Sequence, residues 1–197
     1  MNDSDLRPEA FFDLSDPTTA AFFADCAYVW QALTRLEAHV ARLTGGGRRI
    51  NGTVMSGAWL GDAPIVIEAG AVVEPGAYVV GPAYIGRGAV VRHGAYVREN
   101  VILLDGAILG HASEAKHALF LPHAAAPHFA YVGDAILGHR VNLGAGTKLS
   151  NLGILSAKDP ATGKRPTIHL QIDDRDYDTG LTKFGAILGD DAQTGCN

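Results

Sequence analysis

The chain has 197 residues, 47% apolar and 19% charged, a composition that suits a packed globular fold and excludes a disordered one. A formal net charge of −5 without any Lys/Arg-rich stripe excludes the electrostatic footprint of a nucleic-acid binder. No apolar run reaches the roughly 18 residues of a membrane span.

The N-terminal MNDSDLRPEA is acidic and polar, unlike a secretory signal. Cys26 and Cys196 lie far apart and outside any metal-type spacing, which fits free thiols in a reducing compartment. Together these features predict a cytoplasmic protein without a membrane partner.

Residues 16–43 carry the pattern of one amphipathic helix. Asp16 can cap it, Pro17 suits its first turn, and the glycines at 45–47 stop it. Phe22, Phe23, Cys26, Val29, Trp30, Leu33, Leu36 and Val40 form its apolar stripe. Residues 1–50 are therefore expected to form a helical cap over the first coil of a main domain spanning 51–197.

From Ile67 the chain repeats every six residues: Ile67, Val73, Val79, Ile85, Val91, Val97, Leu103, Leu109, Ala115 and Leu121. Alanine stands four residues after many of these, as Ala71, Ala77, Ala83, Ala89, Ala95 and Ala107. Glycine usually precedes that alanine, and most of the 24 glycines fall between residues 45 and 146. A period of six fits neither a helix nor an ordinary strand. It fits a short strand and a sharp corner, three to a turn of a triangular coil, with the aliphatic residue inside and glycine easing the corners. Residues 18 apart should then stack on neighbouring coils. The phase shifts near Leu121, by five, and resumes as Leu137, Leu143 and Leu149.

Residues 152–182 interrupt the repeat with Pro160, Gly163, Pro166 and the alternating TIHLQIDDRDY, which predicts an inserted hairpin beside a cleft. The repeat resumes as AILGDDAQTGCN up to Asn197. A solenoid seldom stops in mid-coil without a cap, so a further C-terminal part, or a neighbour covering this end, is expected.

The six-residue repeat resembles that of the hexapeptide-repeat transferases, and this resemblance implies a β-class fold: a single-stranded left-handed parallel β-helix. From Arg98 to Asn151, and most strongly in HFAYVGDAILGHRVNLGAGTKLSN (128–151), the sequence is similar to the acetyltransferase domain of bifunctional glucosamine-1-phosphate acetyltransferase/N-acetylglucosamine-1-phosphate uridyltransferases. The whole chain looks like a stand-alone relative of the C-terminal domains of sugar-1-phosphate nucleotidyltransferases. The resemblance implies acetyl-CoA as acyl donor, a hexosamine 1-phosphate as acceptor, no resident metal, and a homotrimer. It assigns the general base to His128 and the oxyanion-binding backbone N–H to Ala145. It assigns sugar contacts to Tyr131 and Asn142, phosphate contacts to Arg98 and Lys116, and a position near the thioester to Asn151. Across the insertion, Lys183 would stand for a further sugar-contacting lysine. The chemistry agrees with these assignments: imidazole titrates near neutrality and can take the proton of an attacking amine, and a guanidinium beside an ammonium suits a phosphate.

Three departures stand out. Asn151 is followed by Leu152 where the family has tyrosine, the later coils that would hold the rest of coenzyme A are absent from this sequence, and no glycine-rich nucleotidyltransferase signature occurs. Two other functions stay open on the sequence. One is a zinc protein like the γ-class carbonic anhydrases, suggested by His111, His117 and His123 and by the His123–His128 pair. The other is a non-catalytic repeat scaffold or regulatory subunit.

Overall fold

A computed structural model describes residues 3–153 and 157–196. The expected insertion therefore lies partly outside the described residues, at 154–156. The chain winds into a parallel β-helix of about six turns with three α-helices against it, consistent with left-handed winding.

Three flat faces arise from the three strands of each coil. The first face carries Arg49–Ile50, Ile65–Ile67, Ala83–Ile85 and Val101–Leu103 in parallel register. The second carries Trp59–Leu60, Tyr78–Val79 and Tyr96–Val97. The third carries Thr53–Val54, Val72–Val73, Val90–Val91, Ile108–His111 and Ala125–His128. Two longer strands, Glu114–Phe120 and Tyr131–Leu137, turn a corner and serve the second and first faces in succession. Inside the coil lie the predicted aliphatic residues and alanines, from Ile67 and Ala71 to Leu109 and Ala115, all essentially buried. Glycine at the corners adopts left-handed backbone, as at Gly70 (φ 76°) and Gly88 (φ 64°), where a side chain would be strained.

The spacing of 18 holds from Ile65↔Ala83 to Ala83↔Val101, then becomes 17 at Val101↔Ala118 and Ala118↔Ala135. The shift thus falls one residue earlier than the six-residue count suggests. Phe120 stacks inside over Leu103, while Leu121 turns outward into a second apolar cluster with Ile102, Leu104, Leu119 and Ile136.

That outward cluster receives the N-terminal layer. In place of the single helix expected over 16–43 there are three: α1 (Pro17–Phe23), α2 (Gln31–Thr34) and α3 (Leu36–Thr44). Asp16 caps α1 by accepting from Thr19 N–H at 2.8 Å, and Gly45 (φ 59°) ends α3, both as expected. Side chains replace helical hydrogen bonds between α1 and α2. Gln31 Oε1 accepts from Ala27 N–H, and the Arg35 guanidinium donates to the Ala24 and Asp25 carbonyls. This break lets Tyr28 stack on Trp30, with ring centroids 4.8 Å apart. The helices do not close the first coil. They lie along the first face across several coils, burying Leu33, Leu36 and Val40 against Ile102, Leu119 and Ile136.

The hairpin exists as His169–Ile172 paired antiparallel with Arg175–Asp178. Its inner residues Leu170, Ile172 and Tyr177 pack on the same cluster, and Tyr177 meets Trp30 edge-on at 6.0 Å. After it, Ile187–Leu188 rejoins the first face beside Ile136–Leu137. No helix among the described residues is long and apolar enough to cross a membrane.

Candidate active site

On the second face, strand alternation turns Val97, Ala115, Val132 and Leu149 inward and their neighbours outward. Two outward columns result. One runs Tyr96, Glu114, Tyr131, Lys148; the other runs Arg98, Lys116, Gly133.

The second column gathers the predicted cations. Arg98 Nη1 donates to Glu114 Oε1 at 2.9 Å and its Nε lies 3.5 Å from Glu99 Oε2. Lys116 Nζ stands 2.9 Å from Glu99 Oε1. The hydrogen bond to Glu114 raises the Arg98 pKa, and that to Glu99 raises that of Lys116. Lys183, returning after the hairpin, arrives beside them. The charge of Lys116, then burial, pull its pKa below the ordinary lysine value against the attraction of Asp134. These carboxylate partners, Glu99, Glu114 and Asp134, were not anticipated from the sequence. The register contained the signal, because a spacing near 18 sets Glu114 beside the Arg98 strand.

Asp134 sits at the corner leaving this face, buried and left-handed (φ 46°). Asn151 Nδ2 donates to its Oδ2 at 2.5 Å. The chain re-entering after the hairpin is laced to the same two residues, with Phe184 N–H donating to Asn151 O and Gly185 N–H to Asp134 O. Gly133 is the space over which the site closes. A Cβ there would lie 2.6 Å from the Tyr131 hydroxyl and 2.7 Å from Asn151 Nδ2. Arg98, Lys116, Tyr131, Asn151 and Lys183 are thus neighbours, although the last two are separated by the insertion.

His128, Asn142 and Ala145 lie at the other edge. His128 ends its strand on the third face, stacked in register over His111 and, one coil further, His93. His93 Nδ1 donates to the Pro75 carbonyl and His111 Nδ1 to the His93 carbonyl. The exposed His128 ring has no hydrogen-bond partner among the described residues, which leaves both nitrogens open to a ligand. Gly146 N–H donates to the His128 carbonyl at 3.0 Å and holds the Gly144–Gly146 turn over it. The Ala145 N–H likewise has no partner among the described residues. Asn142 points outward on the third face, bridged between Ala125 and Gln193. Between His128 and Gly133 the chain turns the corner at Phe129 (φ 49°), so His128 stands on the third face and the cations on the second.

The histidines of the zinc alternative are spread over the coil. His111, His117 and His123 occupy three different corners, and His117 Nε2 is engaged with the Leu33 carbonyl. Among the described residues no three His, Cys, Asp or Glu side chains are grouped to hold a metal.

Residues 64–99 match the sequence profile of the bacterial transferase hexapeptide (six repeats). The bifunctional sugar-1-phosphate nucleotidylyltransferase/acetyltransferase of Sulfurisphaera tokodaii is 32% identical over 90 residues, 45% of this chain and 20% of that protein. The bifunctional protein GlmU of Cupriavidus taiwanensis is 52% identical over 42 residues, 21% of this chain and 9% of that one. The chain thus spans a fifth or less of these curated relatives. The acetyltransferase domain of PglB from Neisseria gonorrhoeae FA1090 aligns with a TM-score of 0.38 at 23% identity, covering 51% of this chain and 48% of that one. The chain, wound as a parallel β-helix, thus carries a bacterial transferase hexapeptide repeat at residues 64–99 and is similar over part of its length to bifunctional sugar-1-phosphate nucleotidylyltransferase/acetyltransferase and GlmU proteins.

Proposed function

We propose that the chain transfers an acetyl group from acetyl-CoA to the amine of a hexosamine 1-phosphate. The observation that carries this reading is the meeting of Arg98, Lys116 and Lys183 beside Tyr131 and Asn151, with one cation delivered across the whole insertion. Three cations ordered by Glu99, Glu114 and Asp134 suit a phosphate, and the adjoining phenol and amide suit a sugar and a thioester arm.

In the reaction, the amine forms a bond to the thioester carbonyl carbon, and the Ala145 N–H holds the resulting oxyanion. His128 takes the amine proton and passes it to the departing thiolate as the C–S bond breaks. Asn142 contributes to the sugar site. Because His128 stands on the third face and the cations on the second, the reading includes a homotrimer. In it the His128 edge of one copy meets the Arg98–Lys183 edge of the next. A three-sided solenoid offers flat faces for such closed packing.

Thiol release from acetyl-CoA with glucosamine 1-phosphate and galactosamine 1-phosphate tests the reading. Turnover is expected to fall about 10²- to 10⁴-fold in His128→Ala with the fold intact. Unchanged turnover in that variant would remove the mechanism, and silence with every amino sugar would favour the scaffold alternative.

A further inference from the structure

The three cations of the second face are not equivalent. Arg98 is paired with Glu114 and Glu99, and Lys116 with Glu99. Lys183 makes no ion pair among the described residues, and its hydrogen-bonding neighbour is Lys116. An ammonium has only donors, so two lysines in such contact are at ease when one of them gives up its proton. Glu99, 2.9 Å from Lys116 Nζ, favours the charged form of Lys116. Lys183 is then the partner that accepts, and the charge of Lys116, followed by burial, lowers its pKa. A free amine beside a second cation is the arrangement that makes a lysine nucleophilic. The backbone fixes where that amine stands. Phe184 N–H donates to the Asn151 carbonyl and Gly185 N–H to that of Asp134, so Lys183 enters the site next to Asn151. The Asn151 amide is itself held by Asp134, and on the reading above this is where the thioester lies. Lys148, Lys158 and Lys164 are exposed, the first donating to the Gly146 carbonyl and the other two lying in the insertion.

We propose that Lys183 is a self-acetylation site, whose amine takes the acetyl group of bound acetyl-CoA when no amino sugar is present to receive it. This rests on the acetyl-transfer reading above and adds a regulation to the same site. The neutral amine forms a bond to the thioester carbonyl carbon, and the C–S bond breaks with its electron pair on sulfur. The proton released from nitrogen ends on the coenzyme A thiolate, so the products are N-acetyl-lysine and the free thiol. The acetamide carries no charge, and the phosphate site loses one of its three cations. A bound sugar phosphate acts in the opposite sense. Its anion favours the ammonium form of Lys183, which is no nucleophile, so the acceptor protects the site from its own donor.

The full chain is incubated with acetyl-CoA at mildly alkaline pH without an amino sugar, and acetylation of each lysine is followed by peptide mass spectrometry. Lys183 is expected to react at least about tenfold faster than Lys148, Lys158 and Lys164, because its amine is held beside the thioester. Glucose 1-phosphate, which carries the phosphate but no amine, should slow Lys183 and leave the other three unchanged. Lys116→Met removes the neighbouring charge and should slow Lys183 as well. Protein acetylated beforehand should show a raised KM for the amino-sugar phosphate in proportion to the acetyl carried at Lys183. In Lys183→Arg the same treatment should change nothing further. Acetylation of Lys183 no faster than the three exposed lysines overturns the proposal, and turnover of an amino sugar in the same protein leaves the acetyl-transfer reading standing. Selective acetylation of Lys183 without turnover of any amino sugar keeps the proposal and removes the acceptor reading instead. Acetic anhydride at a limiting dose needs no coenzyme A site and ranks the amines alone. Lys183 leading with the anhydride but not with acetyl-CoA overturns the placing of the thioester beside it.

Discussion

Asn151 and Asp134 hold each other across adjacent coils, amide to carboxylate at 2.5 Å, with Asp134 buried and its backbone left-handed. The pair fixes which way the Asn151 amide points, and the returning chain at Phe184 and Gly185 is tied to the carbonyls of the same two residues. Asp134→Ala should cost about 1–3 kcal/mol, because it leaves a buried donor unmatched. Alanine also tolerates left-handed backbone poorly, whereas asparagine adopts it readily and can still accept. Asp134→Asn should therefore keep most of the melting temperature. Both variants should raise the KM for the acyl-CoA more than that for the sugar phosphate. Equal effects on the two constants would show that Asn151 needs no such support.

Lys183 is the first of the three clustered cations to lose its proton as pH rises. Its pKa is lowered by Lys116 and then by burial, while Glu114 and Glu99 raise those of Arg98 and Lys116. A lysine with a lowered pKa sheds its charge below the ordinary lysine range. The KM for the sugar phosphate should accordingly rise on the alkaline side earlier than a normal lysine would cause. Lys183→Met should raise that KM at neutral pH and flatten the alkaline rise. A rise that persists unchanged in Lys183→Met would assign it to another group.

The repeat was legible because its cause is local: one aliphatic residue per short strand and one glycine per corner leave a period that can be counted directly. The register agreed with that period until Ala115, where the next inward residue is Phe120 and not Leu121. Both are fully buried apolar residues, so hydrophobicity alone does not separate the inner core from the outer cluster. The break of the N-terminal helix was hidden for a similar reason. Its apolar stripe is continuous, and only tertiary partners, Gln31 and Arg35 on the backbone and Tyr177 on Trp30, favour the turn at residues 24–30. In the site, the cations and Asn151 could be named from motif positions. Their carboxylate partners required the coils to be stacked, because Glu114 and Arg98 are 16 residues apart.

His39 gives the N-terminal layer an acid sensitivity. Its ring packs on Phe22 at 4.9 Å, and its Nε2 is buried without a hydrogen-bond partner. Burial, followed by the charges of Arg42 and Arg35, lowers its pKa below 6.5. The unfolded chain therefore binds this proton first, and stability falls as pH drops through the ordinary histidine range towards the lower folded value. His39→Phe removes that proton uptake and keeps the ring contact. Its melting temperature should decline less than that of the natural chain between about pH 7 and pH 5. Parallel declines in the two proteins would exclude His39 as a source of the loss.

The position of His128 depends on a close approach at Gly110. A Cβ there would overlap the carbonyl oxygen and carbon of Pro127, so backbone rather than a flexible side chain would have to move. Leu109 and His111 on either side pair with Ala126 and His128, so displacing Pro127 must displace the histidine as well. Gly110→Ala should destabilise by about 3 kcal/mol, as overpacking against backbone does. It should also lower turnover per folded molecule. Phe120→Ala supplies the contrast: it empties the inner core over Leu103, should cost about 3–5 kcal/mol, and leaves the His128 corner untouched. Denaturant unfolding and turnover measured well below each melting temperature separate the two effects. If Gly110→Ala is destabilised but retains full turnover, the proposed base does not need the position that pairing with the His111 strand gives it.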